Sequence, residues 1–239
     1  MRLGREPDFV LRGASSVFRR ITAFLLALRD FAFPPVCVGC NEQETGGGLV
    51  CESCLARLEQ HALPIAATGR DALSHVRSLG PYAPPFSTLV HELKYRNRRS
   101  LAAVLGESLA GLLMSDGVLR GADVLAPIPL HPARLRERGY NQSQLLAEQV
   151  ARPTRRDWAD VLRRVKNTRA QVKIEDSDAR RKNLEGAFAL RPGTSVVDRK
   201  VILIDDVSTT GATLDSAAKT LQAAGAFRVY ALVVARAKT

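Results

Sequence analysis

Aromatic side chains are scarce in this chain, making up 5% of 239 residues with a single tryptophan. A surface that stacked many nucleobases in succession would need more, so repeated stacking platforms are not expected. Long apolar runs are also missing. The run Ile21-Thr22-Ala23-Phe24-Leu25-Leu26-Ala27-Leu28 ends at Arg29-Asp30, well short of the ~20 residues that span a bilayer. With Arg12, Arg19 and Arg20 ahead of it, it does not form a clean signal peptide, and a cytoplasmic location is expected. Two common phosphate signatures are absent as well. No loop ends in Gly-Lys-Ser/Thr, which excludes a Walker A site. No three-glycine spacing follows a strand, which excludes the dinucleotide fingerprint. There is no internal repeat or low-complexity tract.

What the chain does have is a real core and a large positive charge. A hydrophobic fraction of 46% supports a packed interior, and the length permits one full domain plus a small module. The formal net charge of +11 attracts polyanions such as nucleic acid or acidic lipid, and equally a small molecule that carries pyrophosphate. Charge alone does not choose among them.

All four cysteines fall in one short stretch, Cys37-Val38-Gly39-Cys40 and Cys51-Glu52-Ser53-Cys54, with Gly46-Gly47-Gly48 between the pairs. Two CxxC pairs at this spacing form a zinc-ribbon pattern, and four thiolates can converge tetrahedrally on Zn²⁺. The metal would staple a segment too small to bury its own core, supplying ~10–16 kcal/mol. Four protein ligands close the site, so the expected Zn²⁺ is structural. A redox dithiol needs only one CxxC, and structural disulfides suit exported chains.

The most informative segment lies near the carboxy terminus. Residues 201–204, Val-Ile-Leu-Ile, read as a strand buried on both faces of a parallel sheet. Leu214, Ala217, Ala218 and Leu221 have helical spacing. Between them stand Asp205, Asp206, Val207, Ser208, Thr209, Thr210, Gly211, Ala212 and Thr213. A helix start offers unpartnered N–H groups and partial positive charge to a phosphate. The hydroxyls add donors, and Gly211 allows close approach or positive φ. Carboxylates beside a phosphate make sense if they accept hydrogen bonds from sugar hydroxyls or attract a divalent cation.

This string closely resembles the phosphoribosyl pyrophosphate (PRPP) motif of type I phosphoribosyltransferases. The resemblance implies that Asp205 and Asp206 hold the ribose 2′ and 3′ hydroxyls and that residues 208–213 bind the 5′-phosphate, with Mg²⁺ accompanying PRPP.

Upstream, residues 123–130 read as another buried strand ended by prolines, followed by a basic segment with Arg134, Arg136 and Arg138 in a loop or helix entry. Arginine suits planar recognition of phosphate oxygens. Pro127-Ile128-Pro129-Leu130-His131, the spaced arginines and Arg138-Gly139-Tyr140-Asn141-Gln142 resemble the signature of the ComF family, a branch of the phosphoribosyltransferase superfamily linked to bacterial competence for DNA uptake. So do Leu93-Lys94-Tyr95 with its basic turn, Thr168-Arg169-Ala170-Gln171, Arg180-Arg181-Lys182-Asn183 and Gly186-Ala187-Phe188. Phe33-Pro34-Pro35 and the cysteine pairs resemble the zinc finger found at the start of many such proteins. The resemblance implies that Ile128, Pro129 and Leu130 touch pyrophosphate. Such loops often carry a non-proline cis peptide bond, at about 3 kcal/mol. Arg134 then joins the PRPP-binding set, Arg138 and Lys182 stand with Asp205 and Asp206 as catalytic candidates, and His131 is a candidate to face the ligand. Residues 172–179 are polar and aperiodic, and 166–183 fits either an exposed charged connection or a mobile lid, in which Lys173, Arg180 or Lys182 would supply positive charge to a leaving pyrophosphate.

The expected organisation is a disordered stretch over 1–14, an amphipathic helix plus four-cysteine zinc module over 15–62, and a phosphoribosyltransferase-like domain over 74–239. Val17, Ile21, Phe24, Leu25 and Leu28 share one helical face; it packs on the module or the domain, with membrane-surface attachment as the alternative. Strands are expected near 76–82, 123–130, 161–165, 201–204 and 228–234, alternating with helices as in a parallel α/β sheet. Two functions fit: transfer of the phosphoribosyl group to an acceptor the sequence does not name, or a non-catalytic module that binds PRPP and single-stranded DNA or uptake machinery. Neither reading fixes an oligomeric state.

Overall fold

The computed structural model describes residues 21, 36–42, 48–60, 72–166 and 184–237. The chain divides into two units, Met1–Cys37 with Asn41–Cys51, and Val38–Cys40 with Glu52–Thr239. In the first, the Cys37 N–H donates to Glu42 O and the Asn41 N–H to Cys37 O, while the Cys51 N–H points at Cys37 Sγ across 3.2 Å. The amphipathic helix expected from Val17, Phe24, Leu25 and Leu28 lies outside the described residues, as do Lys173, Arg180, Lys182 and most of the candidate lid.

The second unit is a mixed α/β fold around a five-stranded parallel sheet flanked by helices. In chain order its elements are α1 (Glu52–Glu59), β1 (His75–Pro81), α2 (Phe86–Tyr95), α3 (Leu101–Ser115), β2 (Val124–Pro127), α4 (Pro132–Arg138), α5 (Gln142–Thr154), β3 (Asp157–Trp158), β4 (Leu162–Arg164), β5 (Phe188–Leu190), β6 (Lys200–Ser208), α6 (Ala212–Ala223) and β7 (Arg228–Arg236). The sheet order is β1-β7-β6-β2-β3. Chain connections leave β2 toward β3 and β6 toward β7, in opposite directions. A topological switch point therefore falls between β2 and β6, the place where open α/β sheets take ligands.

Burial follows the sequence pattern. Val201, Ile202, Leu203 and Ile204 are all fully buried, as a central parallel strand requires. Val201 and Leu203 join Leu214, Ala217, Ala218 and Leu221 of α6 in one cluster, with Phe188 and Leu162 from the β4–β5 pair. α5 packs against β2 and β6, and α3 packs against α5. Close packing leaves no room for side chains at two glycines. A Cβ on Gly80 would lie 2.3 Å from the Phe86 ring, and one on Gly106 would lie 2.3 Å from Gln149 Cβ.

The structure departs from the sequence reading in three places. β6 does not stop at Ile204; it runs on to Ser208, with Asp205 paired in register to Val233 and Ser208 to Arg236. The two acids are thus inside a strand, and residue alternation still governs them. The strand expected near 161–165 is β4, and it belongs to a separate antiparallel pair with β5. β2 ends at Pro127, short of residue 130, and Pro129 just beyond it has no N–H to donate to a ladder.

α1 sits on the Pro84–Pro85 turn. Arg57 Nη2 donates to Pro84 O across 3.1 Å. A Cβ on Gly39 would lie 3.0 Å from Pro85 Cβ and 3.1 Å from Cys54 Sγ. Pro85 is the N-cap of α2.

Candidate functional site

The carboxyl ends of β2 and β6 lie side by side. Pro127 pairs with Ile204, and the Ile128 N–H donates to Ile204 O at 3.0 Å. Ile128 and Pro129 are buried and Leu130 is half-buried. Asn141 Nδ2 donates to Ile128 O at 3.0 Å, so this loop is pinned from the start of α5. The peptide bonds of residues 128–130 are trans, so the cis bond that such loops often carry, which the sequence left open, is not found there; among the described residues only Pro84–Pro85 is cis.

Asp205 is buried and well held. Its Oδ1 accepts from Ser143 Oγ at 2.8 Å and from the Asp206 N–H at 2.9 Å. Burial, then the neighbouring Asp206 charge, pushes its pKa from 3.8 to about 7, against the pull of Lys94, Ser143 and the backbone N–H. Asp206 is 2% exposed and takes the opposite parity on the strand. There the Nζ of Lys94, at the end of α2, lies 2.8 Å from its Oδ2. Burial works to lower the Lys94 pKa, but the Asp206 and Asp205 carboxylates outweigh it and the net shift is upward. Lys94 is therefore an ammonium at neutral pH. Arg164, on β4, also feels Asp205. Burial holds its guanidinium below the usual value, with the Asp205 charge opposing and Arg134 reinforcing that shift.

The segment after β6 forms a cradle. Ser208 is buried, Thr209 exposed and Thr210 half-buried. Gly211 takes φ 72° as the N-cap of α6, a left-handed backbone that suits glycine, and no side-chain cap closes the helix. Thr210 Oγ1 accepts from the Ala212 N–H only across 3.4 Å. The first turn thus presents N–H groups and the positive end of a 12-residue helix. Val207 and Thr213 are half-buried and Ala212 is buried.

The arginine segment, which on sequence fits a loop or a helix entry, is the short helix α4. Arg134 is 44% exposed and pairs with Glu137 at 3.5 Å, a surface contact worth little. Arg138 donates to Gln142 Oε1, and its guanidinium lies 5.4 Å from the centre of the Tyr95 ring. His131 caps α4, its Nδ1 accepting from the Ala133 N–H. Gly139 ends α4 at φ 79°, and Tyr140 donates its hydroxyl to Leu93 O. Residues 138–143 therefore connect the end of α2, the 128–130 loop and Asp205.

Four of these side chains were not picked out as site residues from sequence. Lys94, Tyr140, Asn141 and Ser143 hold the acids and the loop. Lys94, Tyr140 and Asn141 lie inside the ComF-like motifs, and Ser143 is the next residue after one of them, so that resemblance was the available signal.

The cysteines come together as the spacing predicts. Sulfurs of Cys37, Cys40, Cys51 and Cys54 all lie within 4.8 Å of one another. Cys37 and Cys54 are buried and Cys51 partly so. A set of thiolates at this separation suits Zn²⁺. No helix among the described residues is long and apolar enough to cross a membrane.

No family model matches the chain. Among solved structures, glutamine PRPP amidotransferase from B. subtilis is 22% identical, over 60% of this chain and 30% of that one, with a TM-score of 0.41. Purine phosphoribosyltransferase from Pyrococcus horikoshii is 15% identical, over 58% and 82%, with a TM-score of 0.34. Curated relatives are nearer. Competence protein ComFC of Bacillus subtilis is 40% identical over 41% of this chain and 38% of its own length. DNA utilization protein YhgH of Escherichia coli O157:H7 is 32% identical over 66% and 70%. Competence protein F of Haemophilus influenzae is 31% identical over 84% of this chain and 90% of its own length. At that identity and coverage, the chain belongs to the competence protein F (ComF) family.

Proposed function

We propose that this chain binds PRPP together with Mg²⁺ and transfers the phosphoribosyl group to an acceptor, releasing pyrophosphate. The observation that carries the reading is one juxtaposition. Two buried aspartates stand at the β2/β6 switch point, and the strand that bears them feeds straight into an uncapped helix start. In this reading the N–H groups and hydroxyls of residues 208–213 seat the 5′-phosphate. Asp205 and Asp206 accept from the ribose hydroxyls. The 128–130 loop faces pyrophosphate, with Arg134, Arg138 and Lys182 supplying positive charge. The bond from the anomeric carbon to pyrophosphate oxygen breaks, and its electron pair leaves with pyrophosphate. A lone pair of the acceptor forms the new bond, and the acceptor proton passes to solvent. The acids and Ser143 offer only oxygen donors, compatible with a hard cation nearby; Mg²⁺ would neutralise pyrophosphate charge and draw off electron density. A structural Zn²⁺ on the four cysteines and a cytoplasmic location complete the proposal.

Calorimetry with PRPP and Mg²⁺ tests binding, and pyrophosphate release across a panel of acceptors tests turnover. Asp205→Asn with Asp206→Asn should weaken binding by at least about ten-fold, since hydrogen bonds to charged groups are worth ~1.5–3 kcal/mol each. Unchanged affinity in that double variant removes the sugar-hydroxyl role.

A second reading is a non-catalytic module that binds PRPP and single-stranded DNA. The Tyr95 ring favours it: 64% exposed, with the Arg138 guanidinium over it, it offers a stacking face beside cations. The relatives named for competence and DNA utilization support a DNA-related role. Tight DNA binding lost at high salt, with no pyrophosphate released on any acceptor, would favour this module.

A further inference from the structure

We propose that Lys94 is a positioning residue for the PRPP site, its ammonium holding the Asp206 carboxylate in place and aimed so that the acid can accept from the sugar. This rests on the PRPP reading above and adds a residue to it.

The argument begins with charge. Two carboxylates on adjacent residues, both more than nine-tenths buried, repel each other and are poorly solvated, so each needs a partner to hold it in place. Lys94 is the side chain that answers this, with its Nζ at 2.8 Å from Asp206 Oδ2. On the other parity of β6, Asp205 is held by Ser143 instead. Asp206 is thus met directly by an ammonium and Asp205 by a hydroxyl, while the ammonium also pulls on Asp205 from farther off.

The supports of Lys94 are themselves built. The preceding residue, Leu93, is fully buried, and its carbonyl accepts from the Tyr140 hydroxyl. Tyr140 is covered by the Arg99 guanidinium, 4.5 Å from the ring centre. The last turn of α2 is therefore fixed from the segment whose Asn141 and Ser143 hold the 128–130 loop and Asp205. Such support is expected around a side chain whose placement matters to within a fraction of an ångström.

Calorimetry of PRPP with Mg²⁺ on the full chain tests the role through a double-mutant cycle. Lys94→Met should weaken binding by about ten-fold or more, the order seen for directly coupled neighbours. Lys94→Arg, which keeps the charge, should restore most of it. In an Asp206→Asn background the Lys94→Met change should have a much smaller effect, because the ammonium has lost the acid it contacts and keeps only its longer-range pull on Asp205. A purely structural role would persist in that background and would not be rescued by charge. The variant with both changes removes both buried charges, so it keeps the cycle readable where Lys94→Met alone folds poorly. Equal affinity in the wild type and Lys94→Met, or equal losses in both backgrounds, overturns the Lys94 role and leaves the PRPP reading standing. No PRPP uptake by the wild-type chain refutes the parent reading, and the Lys94 role with it.

Discussion

Asp205→Asn should make the folded protein more stable at neutral pH, although it damages the proposed site. The Asp205 carboxyl is pushed from 3.8 to about 7, by burial first and by the Asp206 charge second. Below about pH 3.8 both the folded and unfolded chains carry the proton there, and the residue is neutral to stability. Between that value and about 7, the unfolded chain ionises while the folded one still holds its proton. Stability is lost over this window as pH rises, and the loss is complete above it. About three pH units at 1.36 kcal/mol each give a penalty of about 4 kcal/mol at pH 8. Asparagine removes the ionisation and keeps an oxygen to accept from Ser143 Oγ and the Asp206 N–H. Those bonds already enter the shifted value, so a net stabilisation of up to about 4 kcal/mol is expected at pH 8. Urea unfolding of wild type and variant, at intervals from pH 4 to pH 8, measures it. The gain should be near zero at pH 4, grow to about pH 7 and then level off. A gain that is flat across this range, or one that shrinks with pH, refutes the reasoning. Binding sites that hold charge against its preference commonly give up stability in this way.

Protein purified without chelator should carry one zinc per chain by metal analysis, and Cys51→Ser should lose it; metal-free wild-type protein overturns the zinc assignment. Asp116→Ala should destabilise by about 3 kcal/mol at pH 7, since the buried acid holds His75 Nε2 and Arg77 Nη1 at 2.9 Å and the Val118 and Leu119 N–H groups at 2.9 and 3.0 Å. Burial works to raise the Asp116 pKa, but the His75 and backbone bonds outweigh it and the value is lowered. Its stabilisation is therefore present above about pH 3.8 and fades as pH falls through the lower native value. Denaturant unfolding at pH 7 that shows no difference from wild type would contradict this.

Much of the fold is legible in the chain because the signals are local. The Val-Ile-Leu-Ile run can only be a strand with both faces covered, and the Leu214, Ala217, Ala218, Leu221 stripe can only be one helix face. The cysteine pairs converge because two short CxxC turns leave them little choice. The extent of β6 was not legible, because charged residues rarely continue a buried strand. Here Asp205 and Asp206 do so because Ser143, Lys94 and Arg164 come from distant parts of the chain to meet them. Nothing near residue 205 announces those partners. The two-residue β3 and three-residue β5 are too short for any periodicity to register. The arginine cluster stays open between loop and helix on sequence because its prolines and glycine dominate the local pattern. Yet Pro132 at the first turn and Gly139 at the end are what bound a short helix.

The seat of α2 carries one last implication. Gly39 fits between Pro85 and Cys54 with no slack, and the helix that starts at that proline ends with the lysine facing the acids. A rod of ten residues therefore runs from beside Cys54 to the edge proposed to bind the sugar. A bulkier group on the Cys54 sulfur, after oxidation or alkylation, would press on Gly39 and through it on Pro85, the N-cap of that rod. Damage to a sulfur would then be felt as a misplaced ammonium at the far end, with no chemistry occurring there at all.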